Sequence, residues 1–427
     1  MQTATVCTAS AGERSDDRQT GEPATEPRLG GVTQPFGESD VAGIDALLAD
    51  AVQAKLVPGV VVGLGCGDAV HVSHAGEATL DTAPMRVDTL FRIASMTKPM
   101  TAAVVLALIE DGLLRLDEAV DRLLPELADR RVLRTPDGRL DDTVPASRAI
   151  TVRDLLTFTF GFGMQGAMFT APQPWPIMVA QTERGLETLG PPKPGAMLDP
   201  DTWLARFSEL PLISAPGETW LYNTASQVLS VLAARAAGAP FDVVMRDRLL
   251  VPLGMNDTVF STTNTAQVAT AYARADGAFA VVDPPDGEWS HPPLFPDGSA
   301  GLLSTAADVV RFGRMLMRGG LGVLRAETVA EMTRDQLTAA QRDYTWGGFD
   351  MLSGRGWGYG VSVLADGSYA WDGGFGTMWT NVPKLDLTVV VLTQRQFDET
   401  GPPAVGDQVL QAAKAAARSR LVDPGGH

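Results

Sequence analysis

Phe91-Arg-Ile-Ala-Ser95-Met-Thr-Lys98-Pro-Met-Thr-Ala-Ala-Val-Val-Leu-Ala-Leu-Ile-Glu-Asp111-Gly112 is the stretch from which the rest of the chain is read. A short strand-like run meets a helix here. Val104, Val105, Leu108 and Ile109 make that helix strongly apolar, and Asp111-Gly112 supplies a C-terminal stop. Ser95 falls at the N-cap. Lys98, three residues on, shares its helical face, so its amine reaches the serine hydroxyl. A capping serine and a surface lysine would give the same letters, and Ser-x-x-Lys alone turns up by chance. The context separates the readings. Lys98 opens an otherwise apolar helix and is one of only five lysines, with Lys55, Lys193, Lys384 and Lys414. Burying an amine among such residues disfavours its charged form and lowers its pKa, as a lysine base requires.

The other hydrolytic devices are missing. No Gly-x-Ser-x-Gly elbow and no His-Glu-x-x-His helix occurs. Histidine stands only at positions 71, 74, 291 and 427. His71 and His74 alternate with Val70 and Val72 in a hairpin, as solvated strand residues do. His291 lies in a Pro-rich loop, and His427 is the last residue. A serine hydrolase built on this chain has a base other than histidine. Two cysteines, Cys7 and Cys66, cannot make a disulfide framework or a multi-cysteine zinc site, and no metal or cofactor is expected.

The chain has 427 residues, 45% hydrophobic, with 51 acidic against 34 basic side chains and a formal charge of −17. That is enough apolar surface for a large core. The negative charge disfavours nucleic acid and anionic membranes as partners. No apolar run is long enough to span a bilayer, and no secretory signal is visible, so a cytoplasmic location is expected.

Residues 1–38 read as a flexible tail. A helix follows, capped by Ser39-Asp40, with Val41, Ile44, Leu48 and Val52 at helical spacing. Pro58 to Gly65 and Val70 to Ser73 form a hairpin around Gly67-Asp68. Gly63-Leu-Gly65-Cys-Gly67 looks like a nucleotide loop, but it lacks the third glycine and leads into a strand, so it reads as close backbone packing. Helices are expected at 152–158, 204–210, 224–237, 241–250, 306–317 and 408–421, with an extended, lid-like loop over 163–200. Strands are expected at 357–364, 368–371, 378–382 and 387–393. The fold class is α/β (α+β): a discontinuous α/β domain from 39–94 and 296–427, and a mostly helical domain over 95–295.

Several ordered segments together resemble the serine β-lactamase and penicillin-binding-protein-like superfamily, in its class C-like branch, nearest family VIII carboxylesterases and related acyltransferases. Phe91 to Lys98 resembles its nucleophile motif. Leu116-Asp-Glu-Ala-Val120, Ile150 to Thr157, Ala215-Pro-Gly-Glu-Thr-Trp-Leu-Tyr222, Pro252-Leu-Gly-Met255 and Gly301-Leu-Leu-Ser-Thr305 resemble further landmarks. Trp371-Asp-Gly373 and Gly376-Thr377 stand at the third motif. The resemblance implies a β-lactamase/DD-peptidase-like fold, an antiparallel sheet flanked by helices, with the site in a cleft.

It also implies roles. Ser95 would be the nucleophile, Lys98 and Tyr222 would share the base, and Tyr222 would shuttle protons to the leaving group and the attacking water. The backbone N–H groups of Ser95 and Gly374 would form the oxyanion hole. Trp371, Gly373, Phe158, Phe160 and Phe375 would bind substrate. The departures carry information. Tyr-x-Asn becomes Tyr222-Asn223-Thr224, and the usual Lys-Thr-Gly becomes Trp371-Asp-Gly373. An indole cannot be a cationic partner for the carboxylate of a β-lactam. Phe158-Thr-Phe160-Gly replaces His-Thr-Ser-Gly. The expected substrate is a small, mainly neutral ester, hydrolysed through acyl-Ser95. Acyl transfer to an alcohol or amine in secondary metabolism is the alternative. A β-lactamase, a D-peptidase or a non-catalytic binding protein carries less weight.

Overall fold

The computed structural model describes residues 36–186, 192–342, 348–398 and 401–422. Most of the 1–38 tail, with Cys7, and the terminal His427 lie outside the described residues. The described residues all fall in one compact unit.

An eight-stranded antiparallel sheet draws its strands from both ends of the chain. They are β1 (Gly59–Cys66), β2 (Ala69–Thr79), β3 (Ala83–Pro84), β4 (Gly356–Trp357), β5 (Ser362–Val363), β6 (Tyr369–Gly373), β7 (Thr377–Val382) and β8 (Leu387–Thr393). Their order is β4-β5-β6-β7-β8-β1-β2-β3, so the first and last strands in sequence meet at the sheet centre. There Val62 faces Val391 and Leu64 faces Val389.

Both central strands are apolar runs because both of their faces are covered. On one face Val60, Val62, Leu64, Val389 and Val391 pack on α1 (Glu38–Gln53) through Ile44 and Leu48, and on the C-terminal helix Val405–Val422 through Val409 and Ala413. On the other face Val61, Val390 and Leu392 join a larger core. That core holds α2 (Thr97–Glu110), α3 (Thr224–Ala237) and α4 (Ala306–Met317). Every residue of α2 from Thr97 to Leu108 is buried, the condition of a helix that is apolar all round.

Gly63 and Gly65 lie under α4. A Cβ at Gly63 would stand 2.8 Å from Val310, and one at Gly65 would stand 2.8 Å from Arg314. These glycines therefore serve close helix–strand packing. Beside them Asn381 of β7 is fully buried and satisfied from every side. It donates to the Gly313 carbonyl (2.8 Å) and Tyr369 hydroxyl (3.1 Å), and accepts from Trp379 Nε1 (3.1 Å) and Thr388 Oγ1 (2.8 Å).

The structure moves several boundaries. The first helix is capped at Gly37 rather than at Ser39-Asp40, and Asp40 Oδ2 reaches back to accept from the Gly37 N–H at 3.2 Å. The helix beginning at Val152 stops at Leu156, because Phe158 takes a left-handed φ of 59°. The helix at Phe241 turns into a π-helical segment, Arg246–Leu250, after Met245. The last helix begins at Val405. The 163–200 segment is not one extended loop. It contains helices Gly166–Thr170 and Pro176–Glu183 and a 3-10 turn Pro194–Ala196, and it buries Trp175 and Ile177. Residues 187–191 of it lie outside the described residues. No single helix among the described residues is long and apolar enough to cross a membrane.

Replacing Asn381 by Leu leaves the Trp379 and Thr388 donors and the Gly313 acceptor buried without their partner. The expected loss is about 2–3 kcal/mol, read from urea unfolding midpoints at unchanged m-value.

Candidate active site

The turn that carries Ser95 is built on a pinned strand. Phe91–Arg92 pairs with Leu303–Ser304. The Arg92 guanidinium is buried, donating from Nε to Asp283 Oδ2 at 2.6 Å and from a terminal nitrogen to the Pro284 carbonyl at 2.8 Å. It also stacks 5.2 Å over Trp289, whose Nε1 donates to the Gly301 carbonyl at 2.8 Å. Against this fixed base the chain reverses at Ala94, whose φ is +44°, a conformation an alanine holds only under constraint. A single 3-10 turn, Ala94–Met96, then leads into α2. Ser95 sits inside that turn and is not the helix cap. The strained alanine makes one tight turn before the helix starts at Thr97.

Lys98 is fully buried. Its Nζ donates to Ser95 Oγ at 3.0 Å and to the Ser299 carbonyl at 2.7 Å, and lies 4.8 Å from the Tyr222 ring centroid. Burial pulls the amine down to about 7, while the nearby Asp297 carboxylate works in the opposite direction. The segment that presents Ser299 is tied to α2 on either side. Thr101 Oγ1 donates to the Gly298 carbonyl at 2.8 Å, and the Leu302 N–H donates to Thr97 Oγ1 at 3.3 Å.

Tyr222 reaches the same serine from the opposite wall. Its backbone exchanges two hydrogen bonds with Met164, at 2.8 and 2.9 Å. Gly163 permits this approach, since a Cβ there would stand 2.4 Å from the Tyr222 carbonyl. Just past it the Thr224 N–H donates to the Tyr222 carbonyl at 3.3 Å, around Asn223 at φ 82°, ψ −67°. That is a strained γ-turn, and it starts α3. The phenol hydrogen-bonds Ser95 and accepts from Trp371 Nε1 at 3.1 Å. Burial pushes its pKa well above the ordinary tyrosine value, and the field of Asp372 adds to this. At neutral pH the proton therefore stays on the phenol, while the lysine beside it can be neutral.

Ser95, Tyr222, Ala94, Asn223, Gly374 and Phe375 line one cavity of about 210 Å³. Met164, Pro192, Asp297, Ser299, Ala300, Gln396 and Phe397 complete it. The structure thus brings together Ser95, Lys98 and Tyr222, and it sets Gly374 and Phe375 at the cavity. It corrects the other pocket expectations. Phe158 and Phe160 are fully buried and line no part of the cavity. Phe158 packs behind Tyr222 against Trp220 and Trp357, and Phe160 packs on Phe207. Trp371 stands beside Tyr222 as a hydrogen-bond donor instead of forming the wall. Gly373 faces the protein: its missing Cβ would lie 2.2 Å from the Ile93 carbonyl, which also accepts from Thr377 Oγ1 at 3.1 Å. This contact fastens the β6–β7 hairpin to the turn that carries Ser95.

Sequence reading passed over Asn223, Asp297, Ser299 and Gln396. Asn223 was visible inside the second motif, one place before the expected Asn. Thr224, at the Asn position, is buried away from the cavity. Asp297 stands four residues before the Gly301-Leu-Leu-Ser-Thr305 landmark but has no local pattern to mark it. His71 bonds Ser73, and His291 bonds Ser290; neither lines the cavity.

The Beta-lactamase family model matches residues 44–414, and the chain belongs to that family. An uncharacterized protein of Mycobacterium tuberculosis is 36% identical over 76% of this chain and 82% of its own length. Esterase EstB of Burkholderia gladioli is 30% identical over 85% of this chain and 92% of its own. Among solved structures, that of EstCE1, a hydrolase with promiscuous acyltransferase activity, superposes with a TM-score of 0.74 at 24% identity. It covers 88% of this chain and 98% of EstCE1. The fold is therefore that of β-lactamases and penicillin-binding proteins.

Two outcomes follow from the geometry. Only the neutral amine of Lys98 can take the Ser95 proton, so kcat/KM for an ester should fall about tenfold per pH unit below about 7 and level off above it, in a pH–rate profile. Gly373→Ala should drive β6 away from Ile93 and lower kcat/KM about 100-fold. Gly374→Ala, whose Cβ meets no protein atom within 4 Å, should fold normally, which thermal melts of both variants would show.

Proposed function

We propose that this protein is a serine carboxylesterase acting on small, mainly neutral esters through an acyl-Ser95 intermediate. One observation carries the reading. The Ser95 hydroxyl is held at a cavity wall between an amine that can be neutral at pH 7 and a phenol that keeps its proton. In acylation, Ser95 Oγ bonds to the substrate carbonyl carbon as its proton passes to Lys98 Nζ. The carbonyl π pair moves onto oxygen, facing the N–H groups of Ser95 and Gly374. Tyr222 delivers a proton to the leaving alkoxide and regains one from the Lys98 side. Deacylation runs the same path with water in place of the alcohol.

Two features support a neutral substrate. Trp371 occupies the position where lactamases carry a cationic partner. The cavity lining includes the apolar side chains of Met164, Pro192, Phe375 and Phe397 beside the polar Asn223, Asp297, Ser299 and Gln396. Acyl transfer to an alcohol is a second reading, supported by the likeness to EstCE1, a hydrolase with promiscuous acyltransferase activity. The relationship to EstB supports esterase chemistry, and the buried Lys98 amine beside the Ser95 hydroxyl supports catalysis over a purely binding role.

Wild-type protein should hydrolyse p-nitrophenyl acetate or butyrate and show an added acyl mass on Ser95 by intact-mass spectrometry. Ser95→Ala should lose both, at least about 1000-fold in rate. Turnover retained in Ser95→Ala would overturn the assignment. Nitrocefin should be a poor substrate. Adding a primary alcohol should divert the acyl group if transfer is the dominant reaction.

A further inference from the structure

The geometry points to Asp297 as a positioning residue that holds and electrostatically steadies Lys98 through Ser299, making Ser95–Lys98–Asp297 a relay with the logic of a triad. The inference rests on the esterase reading of the site and extends it.

The connection is a chain of short hydrogen bonds. Asp297 Oδ1 accepts from the Ser299 N–H at 2.7 Å, and Oδ2 accepts from the Ser299 hydroxyl at 2.8 Å. Both carboxylate oxygens are thus acceptors; burial pushes the carboxyl's pKa up, and the Ser299 hydrogen bonds, the Lys98 amine and Gln227 work against that shift in favour of the ionised form. The clamped Ser299 turns its own carbonyl to Lys98 Nζ at 2.7 Å. Lys98 has three donor positions when charged, and the structure aims one at Ser95 and one at this carbonyl. Asp297 is itself buried, at 5% exposure, and lies on the cavity wall. Gln227 of α3 bonds the same carboxylate, and Ser230 Oγ accepts from the Gly298 N–H at 2.8 Å, so the segment 297–299 has little freedom.

The chemistry needs such a partner. When Lys98 takes the Ser95 proton it becomes a fully buried ammonium. A nearby carboxylate offsets that charge without taking the proton, and the carbonyl it anchors gives the new N–H an acceptor. Asp297 touches neither Ser95 nor substrate in this role. The groups that face Lys98 are Asp297 on the 296–300 segment and Tyr222 at the start of α3. Asp372 on β6 acts on Tyr222. Asp297 is therefore the one carboxylate whose loss should move the lysine's titration.

The test is the pH profile of kcat/KM for a p-nitrophenyl ester with wild type, Asp297→Asn and Asp297→Glu, read together with acylation of Ser95 by intact mass. Asp297→Asn removes the charge that favours the ammonium. Its acid limb should move to lower pH by about one unit or more, with kcat/KM at the plateau reduced about tenfold or more. Asp297→Glu keeps the charge but displaces Ser299, so its limb should stay near that of wild type while the plateau falls. A part played only in folding would lower the plateau of Asp297→Asn with the limb in place, and that result overturns the proposal. If the Asn variant does not fold, Asp297→Ser removes the same charge with loss of volume only and must shift the limb the same way. A wild-type protein that never acylates Ser95 would instead bring down the esterase reading beneath it.

Discussion

Everything at the site depends on one buried amine. Lys98 has no exposed surface, and its Nζ is confined by Ser95 Oγ, the Ser299 carbonyl and the face of the Tyr222 ring. A charged ammonium in such a place is expensive, which brings the amine to where it can act as a base. The cost is absorbed by α2, whose first three turns are buried against the sheet and against α3. A helix with an apolar surface all round cannot be moved outward without exposing that surface, so the lysine is fixed in depth as well as in register.

Around this amine, backbone constraints bring three distant segments to one point. The left-handed Ala94, the γ-turn at Asn223 and the Gly373–Ile93 contact are each conformations or approaches that a chain avoids unless neighbours impose them. Arg92 and Trp289 impose the first. The Met164 pairing beside Gly163 imposes the second, and the missing Cβ of Gly373 allows the third. The aromatic cluster of Phe158, Trp220, Trp357 and Trp371 then fixes the tilt of the Tyr222 ring. The Trp-x-Gly sequence at the third motif supplies a donor to the phenol, through Trp371 Nε1.

How far the sequence could be read varies with the range of the signal. Helices α3 and α4 were legible to the residue, since periodicity and caps are local. The hairpin at Gly67-Asp68 was also plain. The cap at Gly37 and the stop before Phe158 were not, because they depend on a back-reaching Asp40 and on a positive φ that no side-chain pattern announces. The 163–200 segment read as loop because Pro, Gly and Met obscure its two short helices, whose stability comes from burying Trp175 and Ile177 and not from intrinsic propensity. Phe158 and Phe160 read as pocket because position in a motif tells which segment is near a site, but not which way a ring points.

By itself the sequence determined the family, the antiparallel sheet flanked by helices, and the convergence of Ser95, Lys98 and Tyr222. These rest on spacing within a few residues, on an apolar helix around a lysine, and on ordered motifs along the chain. Only the tertiary structure decided which groups complete the cavity and how the lysine is held. Asp297, Ser299, Asn223 and Gln396 come to the same cavity as Ser95 from segments up to some three hundred positions apart. Such contacts leave no periodic trace, because they are set by the closing of the sheet around α2 and by the few places where two backbones can approach without a Cβ between them.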